Sequence, residues 1–327
     1  MLTELLAIAC GFALLTWSAD RFVVGASAIA YNLEISPLII GLTIVSIGTS
    51  APEILVSAVA AWQGNSGLAV GNALGSNIIN IGLVLGVAAL LMPLNVHSSI
   101  VRRELPVLLL IMLVALLLLL DGTLGRLDGT LLVTGMCLLL LWVTRVGIKS
   151  ADARDPMSAE FAEEIPTDMG MGKAVFWVVA GALLLLFSSR LLVWGAVSVA
   201  HAMGISDLVI GLTVVALGTS LPELAASVIA ARKGEHDIAI GNVVGSNMFN
   251  LLAVVGIAGI IAPMPSIDAE VLTRDWPTMV VMTIALLVMA YGFRGEGRIN
   301  RFEGLLLLAS YLAYTVYLVA TVSTTPG

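Results

Sequence analysis

Long apolar runs alternate with short polar gaps along the whole chain, and ten of those runs are long enough to span a bilayer. They fall near residues 4–26, 37–61, 67–92, 104–120, 128–147, 174–199, 207–231, 238–262, 277–292 and 303–322. A helix needs roughly 20 predominantly apolar residues to cross the hydrocarbon core, so the pattern predicts ten transmembrane helices. Two of the runs are interrupted in the same way. GLTIVSIGTSAPE at 41–53 returns as GLTVVALGTSLPE at 211–223, each placing glycine, proline, hydroxyls and one glutamate inside otherwise lipid-compatible sequence.

The repetition extends well beyond that stretch. Residues 38–62 align with 208–232, and 67–86 with 237–256. Arg126-Leu127-Asp128-Gly129 resembles Arg301-Phe302-Glu303-Gly304, and Pro106 has a counterpart in Pro277. Each half holds five predicted spans. Five is odd, so the second copy enters the membrane from the opposite side, the arrangement in which binding sites form at the midplane between discontinuous helices. The predicted fold is an all-α polytopic membrane protein: ten transmembrane helices as two inverted five-helix repeats, with spans 2 and 7 broken. The first repeat covers 1–147, with its motif at 38–86. A linker follows at 148–173, and the second repeat covers 174–327, with its motif at 208–256.

Composition supports the membrane reading. The chain is 59% hydrophobic and 11% charged, with a mean hydropathy of +1.05, where a soluble domain carries about 25% charged residues. Lys and Arg concentrate in alternate gaps, at Arg102, Arg103, Arg145, Lys149, Arg154, Lys173, Arg232, Lys233, Arg294, Arg298 and Arg301. The opposite gaps hold only Arg126 and Arg274. By the positive-inside rule both termini face outward and the 148–173 linker is cytoplasmic. The start, with Glu4 and no basic segment, does not read as a cleavable signal. Cys10 and Cys137 fall inside predicted spans and are expected to fill space. The net charge of −7 comes partly from the linker and implies no nucleic-acid partner. That linker is too short for a folded domain; a weak cation-sensing role for its acids is the lesser reading.

Charge at bilayer depth is costly and is by default a functional hypothesis. Glu53 and Glu223 are therefore the leading candidates. Pro52 lacks an N–H and frees the carbonyl of Gly48, and Pro222 does the same for Gly218. Ser50-x-x-Glu53 and Ser220-x-x-Glu223 also read as capping boxes, so the hydroxyls are expected to cap while the carboxylates do chemistry. Spans 3 and 8 read GNALGSNIINIGLVLG and GNVVGSNMFNLLAVVG. Asn72, Ser76 and Asn80 share one helix face, as do Asn242, Ser246 and Asn250. The glycines Gly71, Gly75, Gly82 and Gly86 read as close helix packing. Ser76, Asn80, Ser246 and Asn250 are expected to face the carboxylates; for Asn72, Asn77, Asn242 and Asn247 helix glue and ion contact are evenly balanced.

Elsewhere the polar residues read as structural. Asp20 and Arg21 in span 1 point apart and are not expected to pair. With Ser18, and with Ser188, Ser189 and Arg190 of span 6, they suggest snorkelling and helix contacts before a gating role. Spans 4, 5, 9 and 10 read as lipid-facing scaffold, and their flanking Arg102, Arg103, Glu104, Arg274 and Asp275 as solvated loop or interface anchors. His97, His201 and His236 sit at predicted loop ends.

The candidate set is two carboxylates, the hydroxyls of Thr49, Ser50, Thr219 and Ser220, freed carbonyls and the amides of Asn80 and Asn250. All are hard oxygen donors. Ca²⁺ takes 6 to 8 such ligands in flexible geometry, whereas softer metals call for His or Cys. Two glutamates balance one divalent or two monovalent ions, which is the minimal chemistry of exchange.

The paired GTSAPE and GTSLPE breaks, each followed by GN-x-x-GSN, resemble the repeats of the Ca²⁺/cation antiporter superfamily. The likeness covers nearly the whole chain and is strongest to the sodium/calcium exchanger branch, in particular the bacterial inner-membrane YrbG-type calcium/sodium antiporters. It implies ions bound between spans 2, 3, 7 and 8, with Glu53 and Glu223 as central ligands. Thr49, Ser50, Ser76, Asn80, Thr219, Ser220, Ser246 and Asn250 would complete the sites, and spans 1 and 6 would slide as the gate. It implies no cofactor beyond the transported Ca²⁺ and Na⁺, and no partner beyond the bilayer. Several exchangers, including potassium-dependent ones, have Asp where this chain has Asn250, which argues against potassium dependence. The proton-coupled branch has Gly-Asn-x-x-Glu at the break, and the Gly-Thr-Ser-x-Pro-Glu here favours sodium. The rival readings are a proton-coupled antiporter, a passive cation channel and, least supported, a membrane enzyme.

Overall fold

The computed structural model describes residues 2–33, 35, 46–96, 99–151, 168–291 and 297–324. Gly41, Leu42 and Thr43 of the first motif, His97, and the linker from 152 to 167 lie outside the described residues. The described helices are α1 Leu2–Asn32, α2 Ser46–Thr49, α3 Ala51–Trp62, α4 Ser66–Leu91, α5 Ser99–Leu119, α6 Arg126–Ala151, α7 Met171–Met203, α8 Asp207–Thr219, α9 Leu221–Lys233, α10 His236–Ile261, α11 Val271–Tyr291 and α12 Arg301–Thr324. Among the described residues, seven helices are individually long and apolar enough to cross a membrane; α8 with α9, bent by 43°, makes an eighth. The protein is a multi-pass helical membrane protein.

The most buried helices are α4 and α10, whose apolar residues form one continuous core with α5, α6, α11 and α12. Large apolar side chains on α5, α6, α11 and α12 also point outward, including Leu113, Leu117, Leu138, Val281 and Leu305. That double-faced pattern suits a scaffold between core and lipid, as expected for these spans.

Glycine sets the closest crossing. A Cβ on Gly71 would meet the Leu208 carbonyl at 2.4 Å, and one on Gly211 would meet the Leu68 carbonyl at 2.5 Å. The backbones of α4 and α8 therefore touch through small residues, the close approach that small-residue spacing allows in lipid.

Helices α1 and α7 pack on each other more extensively than on any other element. They run antiparallel, since Gly11 lies against Leu192 and Gly25 against Ala174 and Val178. They form a separate layer beside the α4/α10 core.

Several features depart from the expectations. Helix α5 begins at Ser99 and α11 at Val271, so Glu104 and Asp275 belong to helices rather than loops. Both acids are buried. Arg274 grips Asp275 through two hydrogen bonds of 2.6 and 3.1 Å, and the Tyr314 hydroxyl donates to the same carboxylate at 2.8 Å. The solvated-anchor reading of Glu104, Arg274 and Asp275 is thus corrected: a buried charge persists when it is paired. Arg21 Nε lies 3.6 Å from Asp20 Oδ2, so these neighbours do form an ion pair. The guanidinium also sits 5.9 and 5.4 Å from the Trp17 and Trp177 ring centroids. Cys10 and Cys137 face outward as free thiols, so they do not fill core space.

Two strands were not foreseen. β1 Leu94–Val96 pairs antiparallel with β2 Gly297–Ile299, in register Leu94 with Ile299. A matching single bridge joins Leu124 to Met264. These short pairings tie the chain beyond α4 to the chain before α12, and the chain beyond α10 to the chain before α6.

Candidate functional site

The site forms where the two interrupted helices meet. α2 stops at Thr49 and α3 starts at Ala51; α8 stops at Thr219 and α9 starts at Leu221. The proline lies in the first turn of each new helix, at Pro52 and Pro222. Its missing N–H costs nothing there, because those donors are unpaired anyway. One residue further on come Glu53 and Glu223, both fully buried.

The capping expectation is corrected. Neither Ser50 nor Ser220 makes a side-chain cap hydrogen bond. Their hydroxyls reach across to the other half instead. Ser220 donates to Glu53 Oε1 at 3.3 Å, and Ser50 donates to Ser246 Oγ at 2.9 Å. Ser246 in turn donates to Glu223 Oε1 at 3.2 Å. Short hydroxyl links therefore bring both acids to one place, with Ser50 and Glu53 on one break and Ser220 and Glu223 on the other.

Around this centre the two halves exchange contacts almost one for one. Thr49 donates to Asn242 Oδ1 at 3.1 Å, and Thr219 to Asn72 Oδ1 at 3.0 Å. Asn77 and Asn247 each donate to the other's backbone carbonyl at 3.3 Å. Asn80 donates to Asn247 Oδ1 and Asn250 to Asn77 Oδ1, each at 3.0 Å. Asn80 also donates to Ser246 Oγ at 3.2 Å, while Ser76 lies 3.5 Å from Thr219 Oγ1. Of the four asparagines left open, Asn72 and Asn242 orient the threonines, and Asn77 and Asn247 bolt α4 to α10.

The amide donors are thus consumed by the scaffold, and acceptors are left over. Glu53 Oε2, Glu223 Oε2, Asn80 Oδ1 and Asn250 Oδ1 are buried without a hydrogen-bond donor. Buried acceptors are normally satisfied, and each exception calls for a reason. Here the exceptions come as two related pairs.

The helices widen where those asparagines stand. A π-helical turn covers Asn80–Leu85 and another Asn250–Val254. Such turns occur inside helices mainly at functional sites. They re-aim Asn80 and Asn250 relative to a regular helix, and no residue pattern announced them. Ser57 and Ser227 were also missed. Each accepts a hydrogen bond from an asparagine, Asn72 at 3.0 Å and Asn242 at 3.4 Å, and donates to a backbone carbonyl, Ala69 or Ala239. Their signal was available: each lies one turn beyond a candidate glutamate, at the repeat spacing.

The helix breaks carry glycine because α1 lies directly on them. A Cβ on Gly48 would meet Val23 Cγ2 at 2.3 Å, and one on Gly218 would fall inside the Phe12 ring. The expectation of a freed carbonyl at Gly218 needs adjustment, since the Ser220 N–H turns toward the carbonyls of both Ala216 and Gly218.

Two hollows flank the site. The larger, about 930 Å³, runs along α1 from Phe12 to Ser27 and reaches Ser46, Thr49, Pro222 and Asn242. The smaller, about 440 Å³, lies against the end of α3 and is lined by Leu55, Trp62, Gln63 and Arg190 among others. Neither is lined by Glu53 or Glu223.

A helical membrane protein with two related helix breaks meeting at a pair of buried acids belongs to a transporter architecture. The model of the sodium/calcium exchanger protein family matches residues 3–145 and 173–320, and the chain belongs to that family. It is 52% identical over 314 residues to the putative antiporter CaxA of Alkalimonas amylolytica, covering 96% of this chain and 98% of that one. It is 40% identical to the inner membrane protein YrbG of Escherichia coli K12, covering 94% of each chain. The sodium/calcium exchanger MaX1 of Methanosarcina acetivorans is 32% identical, over 94% of this chain and 96% of its own. Among solved structures, the sodium-calcium exchanger NCX_Mj superposes with a TM-score of 0.67 at 30% identity, over 99% of both chains.

Proposed function

We propose that the protein exchanges Ca²⁺ for Na⁺ across the cytoplasmic membrane by alternating access, with both ions held as substrates between Glu53 and Glu223. The observation that carries this reading is the set of four buried oxygens without donors, on Glu53, Glu223, Asn80 and Asn250. Cations satisfy such acceptors, and all four are the hard donors that Ca²⁺ and Na⁺ prefer. Thr49, Ser50, Ser76, Thr219, Ser220 and Ser246 add hydroxyls at the same junction, and the helix breaks run through Gly48, Pro52, Gly218 and Pro222.

The physics of exchange follows from burial. Two carboxylates in a low-dielectric site strongly disfavour reorienting without compensating charge. One divalent ion or two monovalent ions provide that charge, so the loaded protein moves and the empty one does not. Helices α1 and α7 are the moving layer, since they pack chiefly on each other and α1 bears on Gly48 and Gly218 through Val23 and Phe12. The ten-span, two-repeat division at 1–147 and 174–327 accommodates this motion. The Lys and Arg distribution supports both termini facing outward and a cytoplasmic linker, an orientation in which the larger hollow opens inward.

Reconstituted protein should drive Ca²⁺ uphill into vesicles under an outward Na⁺ gradient. A passive channel would give downhill flux only, and that result would overturn the reading. If a proton gradient drives Ca²⁺ and a sodium gradient does not, the counter-ion assignment falls while antiport stands.

A further inference from the structure

The two helices of the moving layer carry opposite charges at equivalent repeat positions. Asp20 on α1 and Arg190 on α7 have the same separation in sequence as Glu53 and Glu223. Asp20 lines the larger hollow, together with Glu104, and among the described residues no basic side chain lines it. Arg190 lines the smaller hollow, and among the described residues no acidic side chain does.

The positions lie toward opposite ends of the helix pair. Asp20 is nearer the end where Gly25 meets Ala174, and Arg190 is nearer the end where Gly11 meets Leu192. Asp20 also touches Arg21, but that guanidinium lies against Trp17 and Trp177 and does not line the hollow. Among the described residues, the ionisable side chains lining the hollows are therefore the Asp20 and Glu104 carboxylates on one side and the Arg190 guanidinium on the other.

Resting on the exchange reading above, we propose that Asp20 and Arg190 make the two faces of the exchanger electrostatically unequal. Asp20 raises the cation concentration in the larger hollow, and Arg190 lowers it in the smaller one. Clefts with low-dielectric walls focus such fields and change ion capture without touching the chemistry of the inner site. Both residues act on access to Glu53 and Glu223, so they set the apparent affinity at each face rather than the turnover of the loaded protein.

The test uses full-length protein in proteoliposomes of defined orientation, with the KM for Ca²⁺ measured separately at each face at low and high ionic strength. At low ionic strength Asp20→Asn is expected to raise KM on the order of threefold at the larger-hollow face alone, with kcat unchanged. Asp20→Glu should stay near wild type. Arg190→Gln should lower KM at the opposite face alone, and high ionic strength should shrink both shifts. Unchanged KM at both faces, equal shifts at both faces, or shifts indifferent to salt would overturn the proposal. Wild-type protein without sodium-driven Ca²⁺ flux would instead strike the exchange reading itself, and this inference with it.

Discussion

The two halves of the molecule are alike at the centre and unlike at the rim. Around Glu53 and Glu223, threonine meets asparagine twice, asparagine meets asparagine reciprocally, and even the π-helical turns coincide. Away from the centre the matching positions hold Asp20 against Arg190, and a hollow of about 930 Å³ against one of about 440 Å³. A site that must accept the same ions from either side is constrained to be nearly symmetric. The hollows beside it differ in size and lining. The carboxylates themselves mark the boundary: Glu53 takes its hydroxyl from the opposite half through Ser220, whereas Glu223 takes its own from Ser246.

The sharpest way to break the central symmetry is to remove one charge. Glu53→Gln and Glu223→Gln should each abolish sodium-driven Ca²⁺ uptake while the protein still inserts, because one carboxylate no longer balances a divalent ion. Uptake in proteoliposomes, normalised to incorporated protein, measures this; a large residual rate in one variant alone would show that the halves are not functionally equivalent.

Next in size is the contact between α1 and the helix breaks. Gly218→Ala drives a methyl into the Phe12 ring, and overpacking of this kind costs about 1–3 kcal/mol. Transport should fall on the order of tenfold or more. Phe12→Ala in the same chain should restore much of it, a recovery that a general folding defect would not show.

The rim offers a smaller effect. Tyr314→Phe removes one hydrogen bond to the buried Asp275 and should lower thermal stability by about 1 kcal/mol. Asp275→Ala leaves Arg274 partly buried without its partner and should cost about 3 kcal/mol. Thermal unfolding in detergent distinguishes them, and similar losses for both would mean the ion pair adds nothing beyond the tyrosine.

The features legible in the sequence were those that polar residues must declare in lipid. Glu53, Glu223 and the asparagine stripes stand out because hydrocarbon makes each of them expensive, and the doubling pointed to the second half as a repeat of the first. The glycine crossing at Gly71 was readable for the same reason. What stayed hidden depended on partners far away in sequence. Asp275 read as a loop charge because Tyr314 is remote and the helix start at Val271 carries no strong cap signal. Ser50 read as a cap because the local pattern fits one, and only the opposite half supplies its better acceptor, Ser246. The π-helical turns at Asn80 and Asn250 lie inside otherwise regular apolar helices. No single-residue propensity encodes them.

The central claim is that the paired acids hold the transported ions. Calorimetric titration of Ca²⁺ into the purified protein, repeated with Na⁺ present, tests it directly. The wild-type protein should bind Ca²⁺ and lose that binding as Na⁺ rises, whereas the folded Glu53→Gln/Glu223→Gln protein should bind none. Sodium-sensitive Ca²⁺ binding that survives in the double variant would place the ions elsewhere and contradict the account.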